Sequence, residues 1–307
     1  MSKLAKKIGI ISQARMKSTR LPGKIMLSIK GNPLLYYFAK RLKQSGVPLY
    51  IATSTDPSND IIEFFAKENK IACFRGDENN VLKRFYDCAR ENNLDVIIRI
   101  TSDCPLSDGR MLKDALKKYL SFKDENVHFS NCVELTYPHG MNFEIFSFKL
   151  LEEAYKNAST DFQKEHVTPY IIQNISGNVI LKHYKRDKDA SHYRITVDTY
   201  EDFFLIKKLI EEYGADKNNT EEIISIFEKN PKLVEINNPN IFSNLKSALK
   251  FVKSKGYKYA TVQSLQDASK TKIVDTYAKG GSVGLDSVEE TKTHLGHDDE
   301  SWNALSD

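Results

Sequence analysis

The sequence predicts an α/β protein with a mostly parallel, Rossmann-like sheet and helices on both faces. Three observations predict it. Strand and helix patterns alternate four times in the first hundred residues, with short connections. The strand candidates are continuously apolar rather than alternating, as strands buried on both faces are. Each candidate strand runs out into a polar segment, and open α/β sheets bind ligands beyond the carboxyl ends of their strands.

Ile8 to Ile11 is the first strand, apolar and β-branched. Pro33 to Ser45 reads as a helix with Pro in its first turn, where the missing N–H does no harm, and Gly46 ends it. Leu49 to Thr53 is the second strand, followed by the turn and cap cluster Ser54-Thr55-Asp56-Pro57. Ile61, Ile62, Phe65 and Ala66 form one face of a helix. Ile71 to Phe74 is the third strand, Val81, Leu82, Phe85 and Ala89 mark the next helix, and Asp95 to Ile100 is the fourth strand. From Val127 the pattern loosens. HFSNCV and FEIFSF read as strands on either side of Tyr137-Pro138-His139-Gly140, and Leu150 to Ala158 as a helix. Thr160 to Asn174 reads as another, which Pro169 must kink or interrupt. RITVDT, Arg194 to Thr199, reads as a short apolar strand before a helix whose face is Phe203, Ile206, Ile210 and Tyr213. Thr199 and Asp202 have the spacing of a capping box.

The chain of 307 residues, 40% apolar, is long enough for one large domain or two ordinary ones. Its net charge of +4 is too mild to mark a nucleic-acid partner. From Gln266 onward nine acidic residues face four Lys, so this stretch carries −5 and the rest +9. A basic body suits a small anionic substrate. Residues 1–267 read as the body, with a separate segment at about 127–193, and 268–307 as a polar, acidic, flexible tail. Cys73, Cys88, Cys104 and Cys132 lack C-x-x-C spacing, so reduced thiols are expected rather than disulfides or zinc. No run approaches the ~18 apolar residues of a membrane span, and the N-terminus lacks a signal-peptide core. The expectation is a cytoplasmic protein with no membrane partner.

The chemistry concentrates at the strand exits: Gln13 to Arg20, Ser54 to Asp56, Arg75 to Asp77, and Thr101 to Cys104. After the first strand, Arg15, Arg20 and Lys24 enclose Ser18, Thr19 and a Pro22-Gly23 turn. Such a loop can cradle phosphates with backbone N–H groups, Arg forks and a Lys point charge. It can equally be a solvated basic face. Asp103, just past the fourth strand, suits Mg²⁺, which takes one or two carboxylates plus substrate phosphates, or satisfies a turn or helix cap. Cys104 reads as a small buried residue without chemistry.

RMKSTRLPGK resembles the R-M-G-S-T-R-L-P-G-K signature of the cytidylyltransferases that make CMP-activated acidic sugars. The branch it resembles most is named after the spore-coat polysaccharide protein SpsF. Further resemblances are TSDCPL to T-G-D-C-P-L, GDENNVLKRFY to G-x-x-x-D-V-L-x-R-F-Y, KEHVTPYI to R-E-H-V-T-P-Y-I, and VDTYED to V-D-T-P-E-D. They span roughly Ile8 to Asp267, including the stretch from Asn240. Lys17, Ser102, Asn80 and Tyr200 depart from the pattern, replacing Gly, Gly, Asp and Pro. Lys17 either reshapes the loop or adds a fourth cation.

The resemblance implies a nucleotidyltransferase, GT-A-like form of that sheet, and transfer of CMP from CTP to an acidic sugar, a phosphate or a phosphonate, with release of pyrophosphate. It implies that Gln13, Ala14, Arg15, Ser18, Arg20, Lys24, Ser54, Arg75, Asp77 and Ser102 bind CTP. Arg15, Arg20, Lys24 and Asp103 carry catalysis, and Asp103 and Asp198 hold Mg²⁺. The middle segment covers the acceptor side, with His139, Glu144, Glu165 and His166 as candidates, and contributes to a homodimer. His166 also fits a structural histidine. Two rivals remain. A nucleotide-sugar glycosyltransferase would want a D-x-D-like motif where Ser102-Asp103-Cys104 stands. A non-catalytic nucleotide-binding or RNA-binding protein is the other, but the cations sit at strand exits rather than in an aromatic-studded strip.

Overall fold

The computed structural model describes residues 6–237 and, as a short antiparallel backbone pair, 261–262 with 271–272. The expected boundary at 267, the resemblance from Asn240 onward and the tail beyond 268, apart from 271–272, lie outside the described residues. The chain divides into two compact units. The first comprises residues 1–198 and 206–230, the second 199–205 and the chain from 231 on.

In chain order the first unit contains β1 (Ile8–Gln13), the hairpin β2 (Ser28–Ile29) and β3 (Asn32–Pro33), α1 (Leu34–Leu42), β4 (Leu49–Ser54), α2 (Asp60–Glu68), β5 (Ala72–Gly76), α3 (Val81–Glu91) and β6 (Val96–Arg99). There follow α4 (Gly109–Ser121), β7 (Val127–Ser130), β8 (Glu144–Ser147), α5 (Phe148–Asn157), α6 (Asp161–His166), α7 (Pro169–Ile172) and β9 (Ile180–His183). After these come α8 (Tyr200–Tyr213) and α9 (Thr220–Lys229). Within the second unit Thr199 and Asp202 make the expected capping box, each accepting from the other's backbone N–H.

The sheet order is β5-β4-β1-β6-β8-β7-β9, and β8 alone in that sheet runs against the others. Both faces are covered. Ile11, Ala52, Ile97 and Phe146 turn toward α3, α5 and α7 in one buried cluster. Their neighbours Ile10, Ile51, Ile98 and Ile145 are equally buried and, by strand alternation, face the other way, where α1 packs on α4. Thus the continuous apolar runs follow from two-sided burial. The chain crosses from β1 to β4 and β5 on one side and returns to β6 on the other. The crevice between the ends of β1 and β6 is therefore the switch point at which such sheets place ligands.

Two expected elements differ. RITVDT is not a sheet strand; an isolated bridge from Arg194 to His139 is its pairing. The helix from Thr160 to Asn174 breaks at Val167, two residues before Pro169. Val167 has φ 71 and ψ −56, and Thr168 N donates to His166 O at 2.8 Å across it. That is a γ-turn, a strained conformation for a β-branched residue. Pro169 then opens α7, where its missing N–H costs nothing.

Candidate active site

A cavity of about 320 Å³ lies at the switch point, lined wholly by residues of the first unit. The loop after β1 forms one side. Met16 O accepts from both Ser18 N and Gly23 N, and Met16 N donates to the buried Asn59 Oδ1 at 2.8 Å. Gly23 has φ +68, a left-handed conformation that glycine adopts without strain. It delivers Lys24 to the head of a short 3-10 turn and into the cavity.

Lys24 Nζ donates to Asp103 Oδ2 at 2.7 Å and to Asp198 Oδ1 at 2.8 Å. Arg20 reaches Asp198 Oδ1 at 2.9 Å, and Arg194 reaches Asp198 Oδ2 at 2.6 Å. The two acids are distant in sequence, but Val197 N donates to Asp103 O at 2.9 Å and fixes them together. The segment 193–195 is in turn bound to His139 through Tyr193 O and Ile195 N. Burial opposes ionisation of Asp198, yet Lys24, Arg194 and Arg20 outweigh it and hold its carboxyl at about 2. Burial likewise opposes the Lys24 charge, and Asp103 with Asp198 overcomes it, raising the ammonium above the ordinary 10.5.

Asp103 and Asp198 thus aim carboxylate oxygens at one shared point now held by an ammonium. Two hard oxygen donors at such a point fit Mg²⁺, which takes its remaining ligands from water and phosphate. Among the described residues no group of three or more His, Cys, Asp or Glu is placed to hold a metal.

The cavity also brings in Gln13, Ala14, Arg15, Ser18, Ser102, Glu165 and His166. Gln13 Oε1 is buried without a partner and Ser102 Oγ donates to Gln13 O at 2.7 Å, so Ser102 in place of Gly joins two strand exits. Arg15 pairs loosely with Glu165 at 3.6 Å. His166 is exposed at the cavity and tilts against Phe162. Four cations line the cavity against three carboxylates, which leaves it positive before any phosphate arrives. Cys104 is buried and its thiol is pushed up to about 12 by that burial, which makes it inert.

Five expected site residues lie elsewhere. Ser54 is buried under Asn59, whose amide donates to its hydroxyl at 2.7 Å. Arg75 is spent on Asp60, Glu63 and the carbonyls of Ser54 and Asp56. Asp77 accepts from Asn79 N and Asn80 N in a turn. His139 is outside the cavity lining and its backbone anchors the segment that carries Arg194.

Glu144 is 2% exposed, pairing across the sheet with Arg99 and with His128 at 3.1 Å, so it cannot meet an acceptor. Burial would raise its carboxyl, but Arg99 and the His128 hydrogen bond hold it at about 2. That value lies below the ordinary 4.5. Ionised Glu144 therefore stabilises the fold above that pH, and the contribution fades as pH falls toward 2. It amounts to roughly 3 kcal/mol. Glu144→Gln should lower the urea midpoint at pH 7 and flatten its fall between pH 5 and 3; an unflattened profile would show that another group governs the acid limb.

Lys17 is no fourth cation of the cavity. It pairs at 2.7 Å with Asp56, stands 63% exposed and is not among the residues with positive φ. The loop accepts a side chain there without strain. Asn80 caps α3 by accepting from Lys83 N at 2.8 Å, so Asn serves as Asp would. Sequence reasoning missed Arg84 and Arg194. Arg84 stood within the GDENNVLKRFY block, and Arg194 lies four residues before Asp198.

A switch-point cavity with a basic loop and paired carboxylates defines a nucleotide-handling α/β enzyme. The profile of the family described as cytidylyltransferase matches residues 8–251, and the chain belongs to that family, a group of CTP-dependent nucleotidyltransferases. The spore coat polysaccharide biosynthesis protein SpsF of Bacillus subtilis is 33% identical over 231 residues, 72% of this chain and 94% of that one. The structure of a cytidylyltransferase from Leptospira borgpetersenii covers 76% of this chain and 98% of its own, at 33% identity and TM-score 0.71. A CMP:2-keto-3-deoxy-manno-octonic acid synthetase solved with CTP, 15% identical with TM-score 0.51, covers 68% of this chain and all of its own, and shares the fold. Among the described residues no helix is long and apolar enough to cross a membrane.

Proposed function

We propose that this enzyme transfers CMP from CTP to a small anionic acceptor, an acidic sugar or a phosphate or phosphonate, in the assembly of a surface polysaccharide. The single observation that carries the chemistry is Lys24 shared between Asp103 and Asp198 beneath the basic loop. The polysaccharide context is supported by the name of the Bacillus relative.

In this reading an acceptor oxygen attacks the α-phosphorus and pyrophosphate leaves in line, a reaction that needs positioning and charge neutralisation above all. Arg15, Arg20 and Lys24 hold the outer phosphates and meet the charge that grows on departing pyrophosphate. Asp103 and Asp198 would hold Mg²⁺, which when bound neutralises phosphate oxygens and lowers the pKa of an acceptor hydroxyl. Glu165 and His166 line the same cavity and orient the acceptor. Exposed Phe162 and Ile175, in the same segment, support a homodimer.

The test incubates enzyme, CTP and Mg²⁺ with a panel of acidic sugars, sugar phosphates and phosphonates. Pyrophosphate release and the mass of a CMP adduct are read together. One acceptor should give both signals, with CTP preferred over UTP. Release of free sugar from a nucleotide sugar, with no pyrophosphate from CTP, would overturn the reading.

A further inference from the structure

Two arginines of the first unit are almost fully buried, Arg41 at 1% and Arg84 at 2% exposure. Their surroundings differ. Arg41 donates to five backbone carbonyls, those of Leu106, Ser107, Ala215, Asp216 and Asn218, at 2.9–3.1 Å. Arg84 lines the active-site cavity from the start of α3 and has one side-chain hydrogen bond, to Glu78 O at 3.5 Å. That length is beyond the usual range. Its Nε is buried with no partner. A guanidinium carries five N–H donors, and a buried charge short of partners is costly.

The fold nevertheless makes room for it. A Cβ on Gly76, at the end of β5, would come within 3.0 Å of Arg84 Cγ and 2.8 Å of Phe74. Burial first, and then the like charge of Arg15, lower Arg84 to about 10, against Asp77 and Glu78, which favour its charge. It stays protonated at neutral pH. Arg15 and Arg84 both line this cavity, and the charge of each opposes the other. Glu165, itself half exposed, partners Arg15 and makes no hydrogen bond with Arg84. A group bearing more than one negative charge would satisfy both.

We propose that Arg84 is an anion-recognition residue of the active site, whose open donors are completed by the phosphate oxygens of the bound nucleotide. The proposal rests on the CTP-dependent reading and adds a phosphate contact from α3 to those of the loop after β1. A planar fork held in place by burial suits bidentate phosphate contact. The unliganded protein carries the cost of a poorly partnered charge, and the ligand removes it.

The experiment compares wild type, Arg84→Met and Arg84→Lys by thermal melting without ligand and by calorimetric binding of CTP, CMP, cytidine and pyrophosphate. Arg84→Met should melt no lower than wild type, because an apolar stem replaces an under-partnered charge. Its CTP binding should fall about 10–100-fold, the worth of a hydrogen-bonded charged contact, while cytidine binding stays unchanged. Loss on CMP assigns the α-phosphate, loss on pyrophosphate the outer pair, and either supports the proposal. Arg84→Lys should fall between, since a point charge does not reproduce the fork. CTP binding by Arg84→Met within twofold of wild type, whatever its melting temperature, would overturn the proposal. So would full CTP affinity in Arg84→Lys if Arg84→Met both melts lower and binds less. Should wild type bind pyrophosphate in an Arg84-dependent way but not CTP, the nucleotide reading fails and the role of Arg84 stands. Wild type binding none of the four would overturn both.

Discussion

Replacing Arg41 with methionine is expected to destabilise the protein by about 3–5 kcal/mol, with loss of a melting temperature on the order of 10 °C. Arg41 sits on α1, 1% exposed, and its guanidinium gathers carbonyls from the turn after β6 and from the chain between α8 and α9. These carbonyls belong to irregular segments between helices and strands, and of them Ala215 O also accepts from Asn218 N at 3.3 Å. Met fills the stem volume but leaves the carbonyls desolvated and unpaired, and each unsatisfied group bears its own desolvation cost. The contrast with Arg84→Met is the point. The two arginines have nearly the same burial, and burial lowers both to about 10. One is a structural hub and the other an open donor. Opposite melting shifts for the same substitution would separate the two roles. A loss under 1 kcal/mol in Arg41→Met would show that these carbonyls find water or other donors.

The first hundred residues were legible because two-sided burial writes itself into sequence as unbroken apolar strands, and β1, β4, β5 and β6 appear where those runs lie. The stretch 180–183 was not legible: β9 lies at a sheet edge, Ile180 is 39% exposed, and its apolar and polar residues carry no clear period. Of the expected site residues, those on the exits of β1 and β6 line the cavity, because the switch point lies between those strands. The exits of β4 and β5 are one and two strands further out, and Ser54, Arg75 and Asp77 there are consumed by local turns and ion pairs. Glu144 shows a different limit. A carboxylate in FEIFSF looks available in sequence, whereas across the sheet it faces Arg99, a pairing that strand register alone decides. Arg84 was hidden because a basic residue in a helix that also carries apolar positions reads as solvent-facing until its burial is known.

Lys24→Ala is expected to cut kcat by about 10²–10³, or roughly 3–4 kcal/mol, by analogy with the loss of one preorganised donor to a developing anion. Lys24 is 12% exposed and donates to Asp103 and Asp198, so its ammonium stands in the cavity before substrate arrives and is free to turn to the outer phosphates once the carboxylates hold Mg²⁺. On departure of pyrophosphate the charge it meets grows, and kcat should therefore suffer more than CTP affinity. Lys24→Arg should recover only part of the rate, because a planar fork does not replace a point charge on the outer phosphates. CMP, which lacks the outer phosphates, should bind nearly as before. The measurement is steady-state kinetics with paired titrations of CTP and CMP on wild type and both variants. Equal weakening of CMP and CTP would move Lys24 to the α-phosphate or the nucleoside. An unchanged kcat would mean that the ammonium between the carboxylates serves only to hold the empty site together, with Arg15 and Arg20 alone meeting the leaving group.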